Sequence, residues 1–442
     1  MKKEKKTRST VRHTRAITVD RQKRPIVDNI TSEVEDIFRS IVHPLTLSQC
    51  DLFRSMGLRE RTLTLPVMVA LLLSAIWRQI TGTSELARLI YNEAVLWEQP
   101  RKVSQSALSQ RLNTLSSSLF LAILEPLLII MQKRWQERKR PLPPEIAWAQ
   151  QKYDECLIVD GSTLDALLKK VGLLRDTPET PLAGKMTGLL HLASQIPKQI
   201  WFETKATSHD QSFWQQILAA LKPNTLLLFD LGYTNFACFQ ELTPRGVTFI
   251  TRAKSNLKYK VVRSLVNTPT FRDSIIWIGE GAERQQVRLA EVLYGDKWLR
   301  YLTNELDDTQ LPPRYLVALY YRRWTIERAY ATVKRLLGLA YFWAGSPNAV
   351  ELQLWSTWMV YSILIDVCDE VAELLKQPFE RISIEMVYRS IYYYLNAVKR
   401  GDDRSFAHYL VDGASNLGIV KRKRKEDKDI FKSWALTIAS NP

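Results

Sequence analysis

Two short apolar runs, each ending in an aspartate, set the strongest limits on the fold of this chain. The runs read ECLIVD, which ends at Asp160, and NTLLLFD, which ends at Asp230. Their length and apolar content predict buried strands of a sheet that is covered on both faces, with an aspartate at each carboxyl end. The GST that follows Asp160 is predicted to stop the first strand. Because acidic residues also follow strands simply as turn formers, either aspartate alone is open to both interpretations.

A second pattern lies further along the chain, where residues 320–334 read YYRRWTIERAYATVK. Four of them are spaced so that a continuous α-helix would carry their side chains on one stripe. The four members of this stripe are Tyr320, Arg323, Glu327 and Lys334. A carboxylate that shares a face with two cations and a phenol suits a metal ion and a phosphate group. A solvated helix face with i,i+4 ion pairs has the same composition, so the stripe needs further carboxylates as partners.

The segments between these motifs alternate between strand and helix patterns. KMTGLLHLAS and QIWFETK flank a QIPK turn as a predicted hairpin, and DQSFWQQILAALK follows as an amphipathic helix. A short helix and the strand GVTFITR come after the second aspartate and before the helix of the stripe. We therefore predict an α/β protein with a ribonuclease H-like catalytic core, a mixed sheet flanked by helices.

Composition changes divide the chain into further regions. Basic, helical, proline-containing and strand-like stretches follow one another along the sequence. The predicted regions are a basic disordered arm (1–26), a helical DNA-binding domain (27–140), a linker (141–149), the catalytic core (150–254 and 307–372), a β-rich insertion (255–306), and a C-terminal helical region with a basic tail that supports dimerisation or synapsis (373–442).

One helix of the N-terminal region is a candidate for reading DNA. It lies in RKVSQSALSQRLNTLSS, where Gln110 and Arg111 are prominent polar residues. A helix with such side chains suits the major groove of DNA. An ordinary connecting helix with a solvated polar face remains equally open.

The charge and cysteine content restrict the class of protein. Lys and Arg number 62 against 46 Asp and Glu, which gives a net charge of +16 and favours a nucleic-acid partner, although ribosome-associated and membrane-surface proteins share such a balance. The four cysteines form no CxxC pair, which argues against a zinc finger and a disulfide framework and indicates a reducing compartment. No signal peptide is recognised, and the apolar run at 354–368 is too short to span a membrane, so it predicts a core helix in a cytoplasmic protein.

The motifs together resemble the DDE transposases of bacterial insertion sequences, specifically the insertion sequence four family. The resemblance covers roughly residues 150–370 and rests on DGST, on FDLGY with FITRAKSN, and on LTNELDD leading into YYRRWTIERAYATVKRLLGL. It implies a catalytic triad that binds two Mg²⁺ (or Mn²⁺) ions, and three residues that grip the phosphate near the cleaved DNA end. The implied triad is Asp160, Asp230 and Glu327, and the implied phosphate-gripping residues are Tyr320, Arg323 and Lys334.

The resemblance also implies a DNA hairpin intermediate, with a base that leaves the helix and stacks on an aromatic ring. Trp298 is our candidate for that ring, with a buried core role as the alternative, whereas Trp324 is expected to pack against the sheet. Among the histidines, only His209 is a candidate for a role at the site. The implied partners are double-stranded DNA, as terminal inverted repeats and as target, and a second protomer in a homodimeric synaptic complex close to the bacterial nucleoid.

Three functions remain from the sequence. The first is a transposase that cuts and pastes an insertion sequence through strand cleavage by water and attack by the freed 3′-hydroxyl. The second is a ribonuclease H-like DNA nuclease without transposition, and the third is a catalytically silent, transposase-derived DNA-binding protein. The complete stripe and the intact triad favour the first.

Overall fold

Nine strands form one mixed sheet in the part of the chain that the structure describes. A computed structural model describes residues 33–422, apart from 59, 81, 165–183, 206 and 340–341. The strands, numbered in chain order, are β1 (Glu155–Thr163), β2 (Lys185–His191), β3 (Pro197–Glu203), β4 (Thr225–Phe229), β5 (Val247–Arg252), β6 (Lys260–Asn267), β7 (Phe271–Ile278), β8 (Gln285–Tyr294) and β9 (Lys297–Thr303). Their order across the sheet is β3-β2-β1-β4-β5-β9-β8-β7-β6.

The centre of the sheet is parallel, and its flanks are antiparallel. Strand β1 pairs parallel with β4, and β4 pairs parallel with β5. The predicted hairpin is confirmed as β2 and β3, and β2 pairs antiparallel with β1. The prediction that the first strand stops at Asp160 is wrong, because β1 continues to Thr163, which pairs with Lys185 of β2.

The predicted strands of residues 255–306 are present as β6 to β9. They continue the same sheet rather than forming a separate one, because β9 pairs antiparallel with β5 from Ile250↔Thr303 onward. Arg288 of β8 and Asp273 of β7 form a fully buried ion pair at 2.6 Å, and Arg288 also donates to the carbonyl of Leu311 at 2.7 Å. This pair therefore joins the extension to the segment that follows the sheet.

Helices cover both faces of the sheet. Those in the described residues are α1 (Glu33–Ile37), α2 (His43–Leu47), α3 (Cys50–Ser55), α4 (Leu65–Trp77), α5 (Thr83–Asn92), α6 (Gln105–Thr114), α7 (Ser118–Glu137), α8 (Pro144–Lys152), α9 (Trp214–Ala220), α10 (Phe236–Leu242), α11 (Pro313–Arg322), α12 (Thr325–Ala331), α13 (Pro347–Leu374), α14 (Ile384–Lys399) and α15 (Phe406–Asp412), with π-helical turns at Phe38–Val42 and Thr332–Leu336.

Side chains of β4 show how the two faces differ. Leu227 and Phe229 pack in one core with residues of α9 and α10. Leu226 and Leu228 belong to the other core, with residues of α11, α12 and α13. We call the side with α9 and α10 the back face, and the side with α11 to α13 the front face. The predicted core helix at 354–368 is confirmed as part of α13, which is buried along most of its length.

The segment of residues 320–334 is not the continuous α-helix that was predicted. It begins in α11, turns at Arg323 and Trp324, continues as α12 and ends in the second π-helical turn. At the break, the amide of Arg323 bonds to the carbonyl of Tyr320 at 3.0 Å and that of Ile326 to the carbonyl of Arg323 at 3.2 Å. These bonds span three residues instead of four, so the helix is locally tighter. The four side chains therefore do not lie on the regular stripe that a continuous α-helix would give. We call residues 320–334 the signature segment.

The N-terminal region is helical, as predicted, from Glu33 to Lys152. Within the predicted linker, residues 141–149, helix α8 begins at Pro144, and just before the linker Arg140 pairs with the buried Asp369 at 2.5 Å. The predicted arm at 1–26 and most of the basic tail lie outside the described residues. No single helix among the described residues is long and apolar enough to cross a membrane, and α6 with α7 meets the length and composition only across a 73° bend.

Candidate active site at the carboxyl ends of β1 and β4

Asp160, within β1, and Asp230, directly after β4, lie side by side. Val159 of β1 pairs with Phe229 of β4, so the next residue on each strand lies at the same level of the sheet. Because side chains alternate along a strand, Asp160 and Asp230 follow Ile158 and Leu228 onto the front face. The parallel pairing thus brings together two carboxylates that are 70 residues apart in the chain.

The signature segment lies over these carboxylates. Arg323 donates to Asp160 Oδ2 at 3.1 Å and to Glu327 Oε1 at 3.2 Å. The hydroxyl of Tyr320 lies 3.5 Å from Asp230 Oδ1. The structure therefore brings five of the predicted site residues into one cluster, with the Arg323 guanidinium between two of the three carboxylates.

Lys334 reaches the same strand slightly further along. Its ammonium donates to Ser162 Oγ at 2.5 Å and to the carbonyl of Thr163 at 2.6 Å. These residues belong to the part of β1 beyond Asp160, where the sequence predicted no strand. Lys334 thus lies at the edge of the cluster, although the helix that carries it is irregular.

Tyr330 is a site residue that the sequence did not reveal. Its buried hydroxyl donates to the carbonyl of Asp160 at 2.6 Å and accepts from the amide of Gly188 at 2.9 Å. The ring fixes the backbone of β1 and β2 at the position of the aspartate. It lies three residues after Glu327, so its place on the same helix face was the available signal.

Burial raises the pKa of Asp160 to about 7; Arg323 and the Gly161 amide lower it, whereas Asp230 and Glu327 raise it further. The Asp160 side chain is 17% exposed and that of Glu327 42% exposed. Asp160 and Glu327 thus share one guanidinium, and additional positive charge would stabilise the ionised form of Asp160.

Oxygen donors of this kind suit Mg²⁺ or Mn²⁺. Among the described residues, however, no three metal-binding side chains converge closely enough to enclose an ion. The carboxylate oxygens are suitable ligands for the predicted ions. In this structure the guanidinium of Arg323 occupies the space between the carboxylates of Asp160 and Glu327.

Trp324 does not pack against the sheet, and that prediction is wrong. Its side chain is 52% exposed, and the Arg323 guanidinium lies 5.0 Å from its ring centre. It borders a shallow hollow of about 300 Å³ that also contains Glu327 and Tyr321. The tight turn at Arg323 and Trp324 directs this ring outward, beside Glu327.

Trp298 lies elsewhere. It precedes Leu302 by four residues in β9, and Leu302 packs in the core of the back face, so Trp298 points to that face. The guanidinium of Arg272 lies 4.3 Å from its ring centre. The structure does not bring Trp298 together with the carboxylate cluster.

The two N-terminal candidates lie on α6. Gln110 is exposed, whereas Arg111 is half-buried, with its guanidinium 5.9 Å from the ring centre of Phe53. Asn113 of the same helix accepts a hydrogen bond from Ser346, just before α13, at 2.7 Å. Helix α6 is thus held by the contacts of Arg111 and Asn113, while the side chain of Gln110 is exposed to solvent.

Sequence comparison identifies the domain that contains this site. Residues 184–363 match the family described as "Transposase DDE domain". This range includes Asp230 and the whole signature segment, whereas Asp160 lies before it. Residues 184–363 are thus similar to a transposase DDE domain, and Asp160 lies next to this region through its strand pairing and its contact with Arg323.

A relative with a related name supports the same conclusion. The Sinorhizobium fredii (strain NBRC 101917 / NGR234) protein named "Putative transposase y4zB" is 29% identical over 178 residues. The match covers 36% of this chain and 47% of the relative, so the chain spans about half the length of the relative that it matches. The predicted resemblance to DDE transposases of insertion sequences is confirmed, and the narrower assignment to the insertion sequence four family stays a prediction.

Proposed function

We propose that the protein is a transposase that cuts DNA at the ends of an insertion sequence and joins them to a target by phosphoryl transfer. The observation that carries this proposal is the convergence of Arg323 on Asp160 and Glu327, with Tyr320 against Asp230. Carboxylates from two strands and one helix, beside a cation and a phenol, supply both a metal site and a phosphate site.

Asp160, Asp230 and Glu327 are the residues that would hold two Mg²⁺ or Mn²⁺ ions. The chemistry that two such ions supply when bound is activation of the attacking oxygen and stabilisation of the leaving oxygen. Tyr330 keeps the backbone of Asp160 in place through its bond to the carbonyl of that residue. The raised pKa of Asp160 follows from burial, so added positive charge lowers it and ionises the ligand.

Arg323 has two alternative sets of partners in this proposal. In the DNA-free protein it binds carboxylates, and a guanidinium binds a phosphate equally well through parallel hydrogen bonds. With the carboxylates serving as metal ligands, Arg323 would be free to bind the DNA phosphate together with Tyr320 and Lys334. We expect Arg323→Ala to weaken retention of a cleaved DNA end in a gel shift, and unchanged retention would contradict this role.

The remaining parts of the chain complete the proposal. The net charge of +16 suits double-stranded DNA, both as terminal inverted repeats and as target. Exposed Gln110, with Arg111, would contact the repeat, and Trp324 is better placed than Trp298 to stack on a base beside the cut. A hairpin intermediate, a homodimer in the synaptic complex, and a cytoplasmic, nucleoid-associated location complete the proposed mode of action.

The test is cleavage of a duplex that carries the inverted repeats flanking the coding sequence. Wild-type protein with Mg²⁺ should cut at the repeat end, and EDTA should abolish cutting. Asp230→Asn and Glu327→Gln should abolish it too, whereas the matched changes Asp296→Asn and Glu283→Gln, at exposed carboxylates, should not. Cleavage by a triad variant at the wild-type rate would refute the proposal.

A further inference from the structure

A fourth carboxylate, that of Asp210, lies close to Asp160 and Asp230 but on the back face of the sheet. Asp210 begins a short 3₁₀ turn, Asp210–Phe213, that precedes α9 on the back face. Its side chain is 28% exposed and pairs with Lys185 at 2.7 Å, and Lys185 also donates to the carbonyl of Ser208 at 2.8 Å. Lys185 itself is buried at the start of β2, so the carboxylate is held against the sheet.

The two carboxylate oxygens of Asp210 lie beside two glycines, Gly161 after Asp160 and Gly232 after Asp230. A methyl group at Gly161 would lie 2.2 Å from Asp210 Oδ1, and one at Gly232 would lie 2.7 Å from Asp210 Oδ2. Gly161 directly follows Asp160, and Gly232 follows Asp230 by two residues. No larger residue fits at either position without moving the carboxylate, so Asp210 occupies the space that a side chain at either glycine would need.

The Asp210 side chain lies at the point where β1 and β4 separate. Their pairing ends at Val159↔Phe229, after which β1 continues with β2 and β4 turns into a short helix. The side chain of Gln211 donates to the carbonyl of Thr234 at 2.8 Å and fastens the same turn to the chain after β4. Beyond the last residues that β1 and β4 pair, the Asp210 turn thus links the backbone of β1 at Gly161 to the backbone after β4.

We propose that Asp210, held by Lys185, is a positioning residue that sets the separation of the Asp160 and Asp230 carboxylates. This inference rests on the proposed function, because the separation matters for two ligands of a shared metal site. Asp210 acts from the back face, whereas both ligands point to the front face. Residues that orient metal ligands typically contribute about ten- to a hundredfold to metal affinity.

The test is a titration of the full-length, DNA-free protein with Mn²⁺, in which free Mn²⁺ is followed by electron paramagnetic resonance. Asp210→Ala should weaken Mn²⁺ binding about ten- to a hundredfold. Asp210→Asn, which keeps the volume between the glycines, should restore most of the affinity. The control Asp296→Asn removes an exposed turn carboxylate and should bind as the wild type does.

Gly232 provides an independent measurement. Its backbone does not have a positive φ, and the three atoms nearest to an added methyl group all belong to Asp210. Gly232→Ala should therefore weaken Mn²⁺ binding in the wild-type background and have a smaller effect when combined with Asp210→Ala. If Gly232 and Asp210 acted on the metal site independently, Gly232→Ala would have equal effects in both backgrounds, and that result would contradict the proposed link.

The outcomes separate this inference from the proposed function. Wild-type affinity in Asp210→Ala, together with a large loss in Asp230→Asn, would overturn the positioning role and leave the metal site intact. Wild-type affinity in Asp230→Asn, or no Mn²⁺ binding by the wild type, would overturn both. Thermal unfolding checks that each variant is folded, and Lys185→Met replaces Asp210→Ala if that variant unfolds, with the same expected loss of affinity.

Discussion

Asp160 gives the sharpest prediction, because its environment disfavours the charge that its proposed role requires. Burial raises the pKa of Asp160 to about 7 from an ordinary value of 3.8. Between these pH values the folded protein retains a proton that the unfolded chain has released. Stability therefore falls as the pH rises through this window, and the full cost is present above pH 7. Asp160→Asn removes the charge and keeps the shape, so it should stabilise the protein at pH 8.

The size of the effect follows from the shift. A difference of about 3 pKa units corresponds to an upper limit of about 4 kcal/mol at 1.36 kcal/mol per unit. The side chain is 17% exposed, so water reaches part of the charge and reduces the cost. Asparagine also accepts a hydrogen bond from Arg323 less strongly than a carboxylate does. We therefore expect a net gain of about 1–3 kcal/mol for Asp160→Asn at pH 8.

Urea unfolding in EDTA, without DNA, measures this gain. The difference between Asp160→Asn and the wild type should be largest at pH 8 and should narrow as the pH falls toward 4. Asp296→Asn, at an exposed turn, should show no comparable gain at either pH. Equal or lower stability of Asp160→Asn at pH 8 would refute the account of the buried charge.

Two further predictions concern the extension and the exposed ring. Arg288→Met should destabilise the protein by roughly 3–5 kcal/mol in urea unfolding, because it leaves the carboxylate of Asp273 buried without its cation; a loss below about 1 kcal/mol would contradict this. Trp324→Ala should weaken binding of a cleaved, unpaired DNA end by about 1–3 kcal/mol with little change in melting temperature, whereas Trp298→Ala should leave that binding unchanged, and the reverse order would favour Trp298 as the stacking ring.

The parts of the fold that were predictable have local causes. The runs that became β1 and β4 are apolar over their whole length because they are covered on both faces, and this pattern is visible without any partner. The hairpin of β2 and β3 is likewise marked by its own turn. That Asp160 and Asp230 are neighbours followed from the parallel arrangement of such strands in an α/β core.

The parts that were not predictable depend on contacts between distant residues. The break at Arg323 accompanies an ion pair to Asp160 on a strand more than 160 residues earlier, so helix periodicity gives no sign of it. Trp324 was assigned to the interior because an unbroken helix would direct it there. The extension of β1 beyond Asp160 depends on its pairing with β2, which outweighs the local turn signal of GST.

Some site residues were close to features that the sequence did mark. His209 is exposed and its role stays a prediction, whereas the side chain between the two glycines is that of its neighbour Asp210. The spacing of Tyr330 from Glu327 places both on one helix face, but it does not indicate that the Tyr330 hydroxyl bonds to a backbone carbonyl. Spacing can indicate which residues share a face, whereas the groups that position them appear only in three dimensions.

The most direct test of the central claim is strand joining by a DNA end that has already been cut. A short duplex that ends in the flanking repeat with a free 3′-hydroxyl is incubated with the protein, Mg²⁺ and a plasmid target. We predict that the wild type links the 3′-end to the plasmid and that Asp160→Asn, Asp230→Asn and Glu327→Gln bind the duplex without joining it. Joining by any of these variants at the wild-type rate, or cleavage without joining by the wild type, would contradict the account.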